Sequence, residues 1–568
     1  MFNRELDRTM ALLLAFGVPA VSLFILTGSV TDPVNATKFL LLGSVGMGAL
    51  ALVIFKGAGL AWGTSKLAII FSGSFVFFSA LSVSQSKSPF IQNIYGVAGR
   101  NTGFLTYFFL VSILIGALVL RKAKSLDYIF IGLFVTGIVN VLYCGWALFF
   151  GDFISWNNPY GNILGLFGNP NFIGAFLGIW ISATVGYFLT RKLKIWQIVT
   201  LSAILILSIY EVQQTRAVQG VVVTAAGLVT VGFYWIRSKS RGWIPTSMYT
   251  LFVMILGSFA LLGALQRGPL AEIVYKRSVS LRGVYWKTGI ETGMDNPIFG
   301  AGMDAYGDWY RRSRTEYAAL VMPGPQTVTN SAHNVVIDIF SYGGFPLLLS
   351  YLGILSLGAI AIIKQLRKSK NYDPLFVSLS VAWIGYQLQS IISINQIGLA
   401  VWGWVLTGAL LAYDKVQDSP TTGYSPKASA KKVVHTKTNS NGVFSSQLVT
   451  GLGAVIGLIL AAPPISGDMA WVRANKSGNV QEVEKALKPT YLHPSTSDRF
   501  GYAIEILHNS KLYGLSHKYA QLATKFNPEN FGAWFALYSV AESTKEEKLL
   551  AIQKMNELDP HNRDIPKA

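Results

Sequence analysis

Apolar runs close to the length of a bilayer crossing recur down most of this chain, and they confine it to one kind of fold. In hydrocarbon, backbone N–H and C=O groups must be satisfied within the segment, so runs of this length become helices. A closed β-barrel would instead show short alternating segments, and the sequence lacks that pattern. Charged residues make up 13% of the chain, where a soluble globular protein carries roughly a quarter. The expected fold class is an all-α polytopic membrane protein.

Crossings are predicted near 9–30, 38–55, 67–84, 103–120, 127–150, 172–190, 195–212, 217–236, 246–265, 334–363, 375–393, 397–413 and 446–462. This places about twelve membrane helices in a domain spanning 1–413, with a large loop at 266–333, and one additional crossing after it. The first apolar run is long for a signal peptide and lacks a clear small-x-small cleavage site, so it reads as a retained helix.

The formal charge of +19 follows the same layout. Basic clusters at Lys56 to Lys66, Arg121 to Lys124, Arg191 to Lys194, Arg237 to Arg241 and Lys364 to Lys370 all fall on one side if the N-terminus is cytoplasmic. A positive-inside bias therefore accounts for the charge, and no nucleic-acid partner is implied. The connections around Arg100, Asn157 to Asn171, Arg216 and 266–333 then share the opposite, outer face.

Residues 414–445, rich in Ser, Thr, Pro and Lys, read as a disordered basic cytoplasmic linker resting on anionic headgroups. The crossing at 446–462 returns the chain outward, leaving an extracytoplasmic helical tail at 465–568. Within it, Asn527-Pro528-Glu529-Asn530 and Leu558-Asp559-Pro560-His561-Asn562 end successive helices at a spacing similar to the tetratricopeptide repeat, whose stacked helices bind partner proteins. An unspecific helical cap is the alternative.

Hydrophobic helices need only short connections, so a loop as long as 266–333 calls for a function. It carries Arg282 four residues before Trp286, Asn296-Pro297 followed by Gly300 and Gly302, Arg311-Arg312, and His333-Asn334 where the next apolar run begins. A histidine at an aqueous boundary is neutral near pH 7 and can take a proton from a hydroxyl. It can equally be a polar residue making a local hydrogen bond at a helix start. Arg216, opening an apolar run, either snorkels to headgroups or holds an anion. Two outer arginines beside a base suit a departing diphosphate, whose charge guanidinium forks neutralise without a metal. Arg100, Asn169 and Asn171 either bind sugar or phosphate or cap helices. Asn334 can orient the ring or a substrate. Arg311 and Arg312 form a solvated face or hold lipid phosphates. Asn296-Pro297 with Gly300 and Gly302 reads as turn chemistry permitting close backbone approach. The single Cys144 lies in an apolar run, so neither a disulfide framework nor a cysteine metal site is expected. With no Asp/Glu/His cluster at ligand spacing, no metal or other cofactor is expected.

Taken in order, Arg100-x-x-Gly103, Gly168-Asn169-Pro170-Asn171, Arg216, Arg282-x3-Trp286, Asn296-Pro297-x2-Gly300-x-Gly302, His333-Asn334 and Gly343-Gly344 resemble the O-antigen ligase superfamily, which includes O-antigen polymerases and protein O-oligosaccharyltransferases. The resemblance covers roughly residues 1–413. It implies an inverting glycosyltransferase of the bacterial cytoplasmic membrane, moving a glycan from an undecaprenyl-diphosphate carrier to an acceptor hydroxyl on a lipid, glycan or protein at the outer face. By position it makes His333 the general base and assigns the diphosphate to Arg216 and Arg282. One departure is Thr215-Arg216-Ala217, where the family has Ser-Arg-Gly. The rivals are a lipid-linked sugar transporter, which would favour a charged site near the midplane, and a membrane-anchored scaffold acting through its tail.

Overall fold

A computed structural model of the chain describes residues 4–567 except 156–157, 270, 275–276, 418–443, 489 and 491–492. Among the described residues there are helices, turns and irregular chain, with no strand. Eleven helices of the described residues are long and apolar enough to cross a membrane: Arg4–Leu23, Asn35–Thr64, Lys66–Gln85, Ala123–Phe150, Pro170–Phe188, Ile195–Gln214, Val218–Lys239, Ile244–Ala264, Val335–Lys368, Ile397–Val416 and Ser446–Ser477. The crossings expected at 103–120 and 375–393 correspond to the shorter helices Phe104–Ala117 and Pro374–Ser390. Most of the expected linker, residues 418–443, lies outside the described residues.

Alternate connections converge on opposite ends of the helix bundle. At one end, the Arg121 backbone N–H donates to Asp7 at 2.7 Å, its guanidinium reaches the Leu60 carbonyl at 2.8 Å, and Arg237 donates to the Leu366 carbonyl. Lys364 pairs with Asp414, and the Ser446 N–H donates to Glu5 at 2.9 Å. These are the connections carrying the basic clusters. At the other end, loops from Thr27–Asn35, Gly99–Arg100, Leu164–Asn169 and Ile394–Gln396 surround one cavity. The Val97 N–H there donates to Asp304 at 2.8 Å, joining the 86–103 connection to the large loop.

The last span packs closely into the bundle. A Cβ on Gly457 would stand 2.0 Å from the Gly43 carbonyl oxygen, so the Asn35–Thr64 and Ser446–Ser477 helices meet backbone to backbone, as small residues allow in membrane packing. Gly457→Val should force these helices apart at a cost of about 1–3 kcal/mol, read as a lower melting temperature in detergent; an unchanged value would contradict the crossing.

Beyond that span, Ser497–Asn509, Tyr513–Phe526, Phe531–Ser539 and Lys545–Leu558 form a stack of short helices around Phe500, Ala520, Trp534 and Met555. The stack is tethered at its base by Asp468. That carboxylate accepts from the Thr31 and Asp32 N–H groups at 2.7 and 3.1 Å and from Arg499 at 3.4 Å. The likeness to tetratricopeptide repeats rests on the sequence spacing alone.

Candidate active site

The Val335–Lys368 helix is broken in its first third, where Gly343 and Gly344 leave helical geometry. Gly344 has φ +64°, and a Cβ there would lie 2.3 Å from the Pro297 carbonyl oxygen. The break frees carbonyls that the large loop then uses. The Ala301 and Gly302 N–H groups donate to the Ser341 and Tyr342 carbonyls at 2.8 and 3.1 Å, and the Phe345 N–H donates to Pro297 O at 2.8 Å. Asn296-Pro297-x2-Gly300-x-Gly302 and Gly343-Gly344 are thus two halves of one backbone lock. It fixes the loop against the helix that His333 precedes. Gly344→Ala should cost about 1–3 kcal/mol from backbone strain and clash and loosen the loop, measured by hydrogen exchange over 296–302; unaltered protection there would count against the lock.

His333 sits in the left-handed region at φ +56°, sparsely populated for residues other than glycine. Its turn is over-determined. The His333 N–H donates to Ser331 Oγ at 2.9 Å, while Ser331 Oγ and the Ala332 N–H both donate to Asp338 at 2.7 Å. Asn334 caps the helix, accepting from the Val336 and Ile337 N–H groups at 3.0 and 3.2 Å. Asn101, Arg216 and Asp304 share the left-handed conformation, at φ of +53°, +55° and +56°. Such strain costs about 1–3 kcal/mol per residue and clusters at functional sites.

The His333 ring stacks on Tyr285, with centroids 5.6 Å apart and planes at 27°. Tyr285 lies on the Arg277–Asp295 helix one turn beyond Arg282, and its carbonyl accepts from Tyr306 Oη at 2.8 Å. Burial pushes the imidazole down to about 4, with Arg100 and Arg282 adding to the shift. Burial also lowers Arg282 from its ordinary value. For Arg100, burial opposes the charge, but Asp304, with Tyr342 and Asp338, more than offsets it, so its pKa is raised. Arg100 stands 3.9 Å from Asp304, whose carboxylate also accepts from Tyr342 Oη at 3.2 Å. Its Nε is buried without a hydrogen-bond partner among the described residues. The charges of Arg100 and Arg282 thus both reach His333.

The other residues singled out by sequence fall in distinct places. Arg216 is exposed on the turn between Ile195–Gln214 and Val218–Lys239. Thr215 Oγ1 ties this turn, donating to Val212 O at 2.7 Å and accepting from the Ala217 N–H at 3.2 Å; Arg216 is the left-handed residue, and Ala217, which stands where the family has glycine, is extended at φ −89°. Asn169 caps Pro170–Phe188 by accepting from the Asn171 N–H at 2.9 Å, and it lines with Arg100 a cavity of about 500 Å³. Asn171 begins the same helix.

Arg311 and Arg312, read as a solvated face or a hold on lipid phosphates, pair with carboxylates of the tail. Arg311 pairs with Asp559 at 2.9 Å and Arg312 with Glu529 at 2.7 Å, while Arg314, fully buried, meets Asp559 at 2.6 Å.

With this geometry in place, comparison with known proteins bears on one segment. Residues 201–352 match the family model of the O-antigen ligase. No curated protein matches the chain. The matched segment includes Arg216, Arg282, His333, Asn334 and the backbone lock, but neither Arg100 nor the tail. The match supports a multi-pass membrane glycosyltransferase of the O-antigen ligase or polymerase type. Sequence reasoning missed Tyr285, Asp304 and Asp338. The one sequence signal for Asp338 was its place four residues after the cap, too common at helix starts to single it out. No group of three or more His, Cys, Asp or Glu residues among those described could hold a metal ion.

Proposed function

We propose that the chain transfers a glycan from a lipid diphosphate, of the undecaprenyl type, to an acceptor hydroxyl on the outer face of the bacterial cytoplasmic membrane. The observation that supports it best is a half-buried imidazole stacked on Tyr285 in a strained, over-determined turn, within the electrostatic reach of Arg100 and Arg282. The acceptor oxygen attacks the anomeric carbon, its proton passes to His333, and the bond to the diphosphate oxygen breaks with inversion. Arg282 and Arg100 neutralise the charge growing on the leaving group, and exposed Arg216 extends the positive rim toward the lipid. A ligase, a polymerase and a protein O-oligosaccharyltransferase share this chemistry. Purified protein should consume a lipid-linked glycan only when an acceptor is present; translocation without consumption would favour a transporter.

The pH profile tests the role of His333. The free imidazole is neutral above about 4, so kcat/KM should hold down to weakly acidic pH. A bound diphosphate opposes the arginines and stabilises the protonated ring, so the acid limb of kcat should lie higher. Identical limbs near the ordinary histidine value would contradict this.

Sidedness has a simple test, since Cys144 is the only cysteine. On a Cys144→Ala background, exposed Lys87→Cys and Lys239→Cys should label from outside and inside respectively. Labelling from one side for both would refute the topology.

A further inference from the structure

A cleft of about 480 Å³ opens where the tail meets the large loop. Gln92, Asp308 and Asn330 line it from the membrane domain, and Asp498, Asn530 and Phe535 from the tail. Neither part forms it alone. Asn330 lies three residues before His333, so the cleft adjoins the turn that carries the candidate base. Its wall also includes Ser495, which is 1% exposed and whose Oγ has no hydrogen-bond partner among the described residues.

The lining decides what chemistry fits. Asp498 and Asp564 contribute carboxylates, the Asp308 carboxylate being taken up by Ser88, Gln92 and Asn527, while the one arginine in the wall, Arg311, is already paired with Asp559. A phosphate or an anionic headgroup would be repelled. What remains is a set of amides, hydroxyls and carboxylates beside the ring of Phe535, which is 52% exposed. Sugars both donate and accept hydrogen bonds and present apolar C–H faces to aromatic rings, so this mixture suits them. A peptide would favour an exposed strand edge or a continuous apolar groove, and this wall, rich in carboxylates and amides, offers neither.

Building on the transferase reading, we propose that this cleft binds the acceptor as a neutral saccharide chain. The tail closes one wall and delivers a terminal hydroxyl toward His333. The Arg100 cavity, ringed by helix ends, is left for the donor.

The test uses the full chain in nanodiscs and tagged oligosaccharides released from the host's own surface polysaccharide. Binding is followed by fluorescence anisotropy, alongside transfer kinetics. Phe535→Ala removes an open ring, and Asn330→Ala an exposed amide, so both variants should fold. Each should weaken saccharide binding about fivefold or more and raise the acceptor KM similarly, with kcat unchanged. Wild-type affinity in both variants, absence of binding to the wild type, or an effect confined to peptide acceptors would overturn the proposal. If no donor is consumed under any condition, the transferase reading fails, while the binding measurement still decides whether the cleft is a saccharide site.

Discussion

His333→Asn should cut glycan transfer by a factor of about 10²–10⁴, the usual contribution of a positioned general base, and leave the protein folded in the membrane. Asparagine is the informative replacement because it tolerates the left-handed region that His333 occupies at φ +56°. It preserves the Ser331–Asp338 turn while removing the basic ring nitrogen and the stack on Tyr285. Arg282→Ala should cost about 10²–10³ through loss of leaving-group stabilisation. Asn334→Ala is the contrast: its carbonyl oxygen is spent on the Val336 and Ile337 N–H groups, so the loss is of about 1 kcal/mol in stability with activity largely kept. Transfer assays at matched membrane abundance distinguish the three. A His333→Asn variant at the wild-type rate would remove the base from the mechanism.

Asp559→Ala should detach the tail from the large loop. This one carboxylate satisfies Arg311 and the fully buried Arg314 at once. Removing one partner from a buried ion pair costs about 3–5 kcal/mol, because the remaining charge is stranded away from water. Glu529→Ala breaks the more exposed pair with Arg312 and should cost at most about 1 kcal/mol. Hydrogen exchange over Tyr306–Ser313 and limited proteolysis of the tail read both effects. Equal protection in the two variants would show that the buried pair does not hold the interface. The loss should also weaken any ligand held in the cleft between tail and loop.

Much of the membrane architecture was legible because hydrocarbon leaves the chain few choices. Runs near 195–212 and 217–236 became Ile195–Gln214 and Val218–Lys239 since an apolar segment of that length must satisfy its own backbone. The run at 446–462 proved longer, extending to Ser477, because a helix continues past its apolar part while later turns find partners, as Asp468 does. The close approach expected of Gly300 and Gly302 was also readable. Its partner, the break at Gly343-Gly344, was not, since a glycine pair within an apolar run does not announce which backbone will fill the gap.

Local pattern failed where a role depends on a partner distant in sequence. Arg311 and Arg312 looked available for phosphate because their carboxylates lie more than 200 residues away. Asn527 and Asp559, noticed only as repeated helix ends, both grip the Tyr306–Ser313 helix: Asn527 donates to Asp308 at 3.1 Å, and Asp559 accepts from Arg311 and Arg314. Tyr285, rather than Trp286, stacks on His333, because the pitch of Arg277–Asp295 turns that face toward the ring.

By itself, then, the sequence determined the all-α membrane class, the position of most apolar helices, and the candidates His333, Arg282 and Arg216. Those follow from solvation, which acts residue by residue along the chain. Only the tertiary structure decided that the charge of Arg100 reaches His333 with that of Arg282, that Asp338 sets the turn, and that the tail closes a cleft over the loop. Electrostatic fields and strained turns are properties of groups brought together from far apart, and no local pattern carries them.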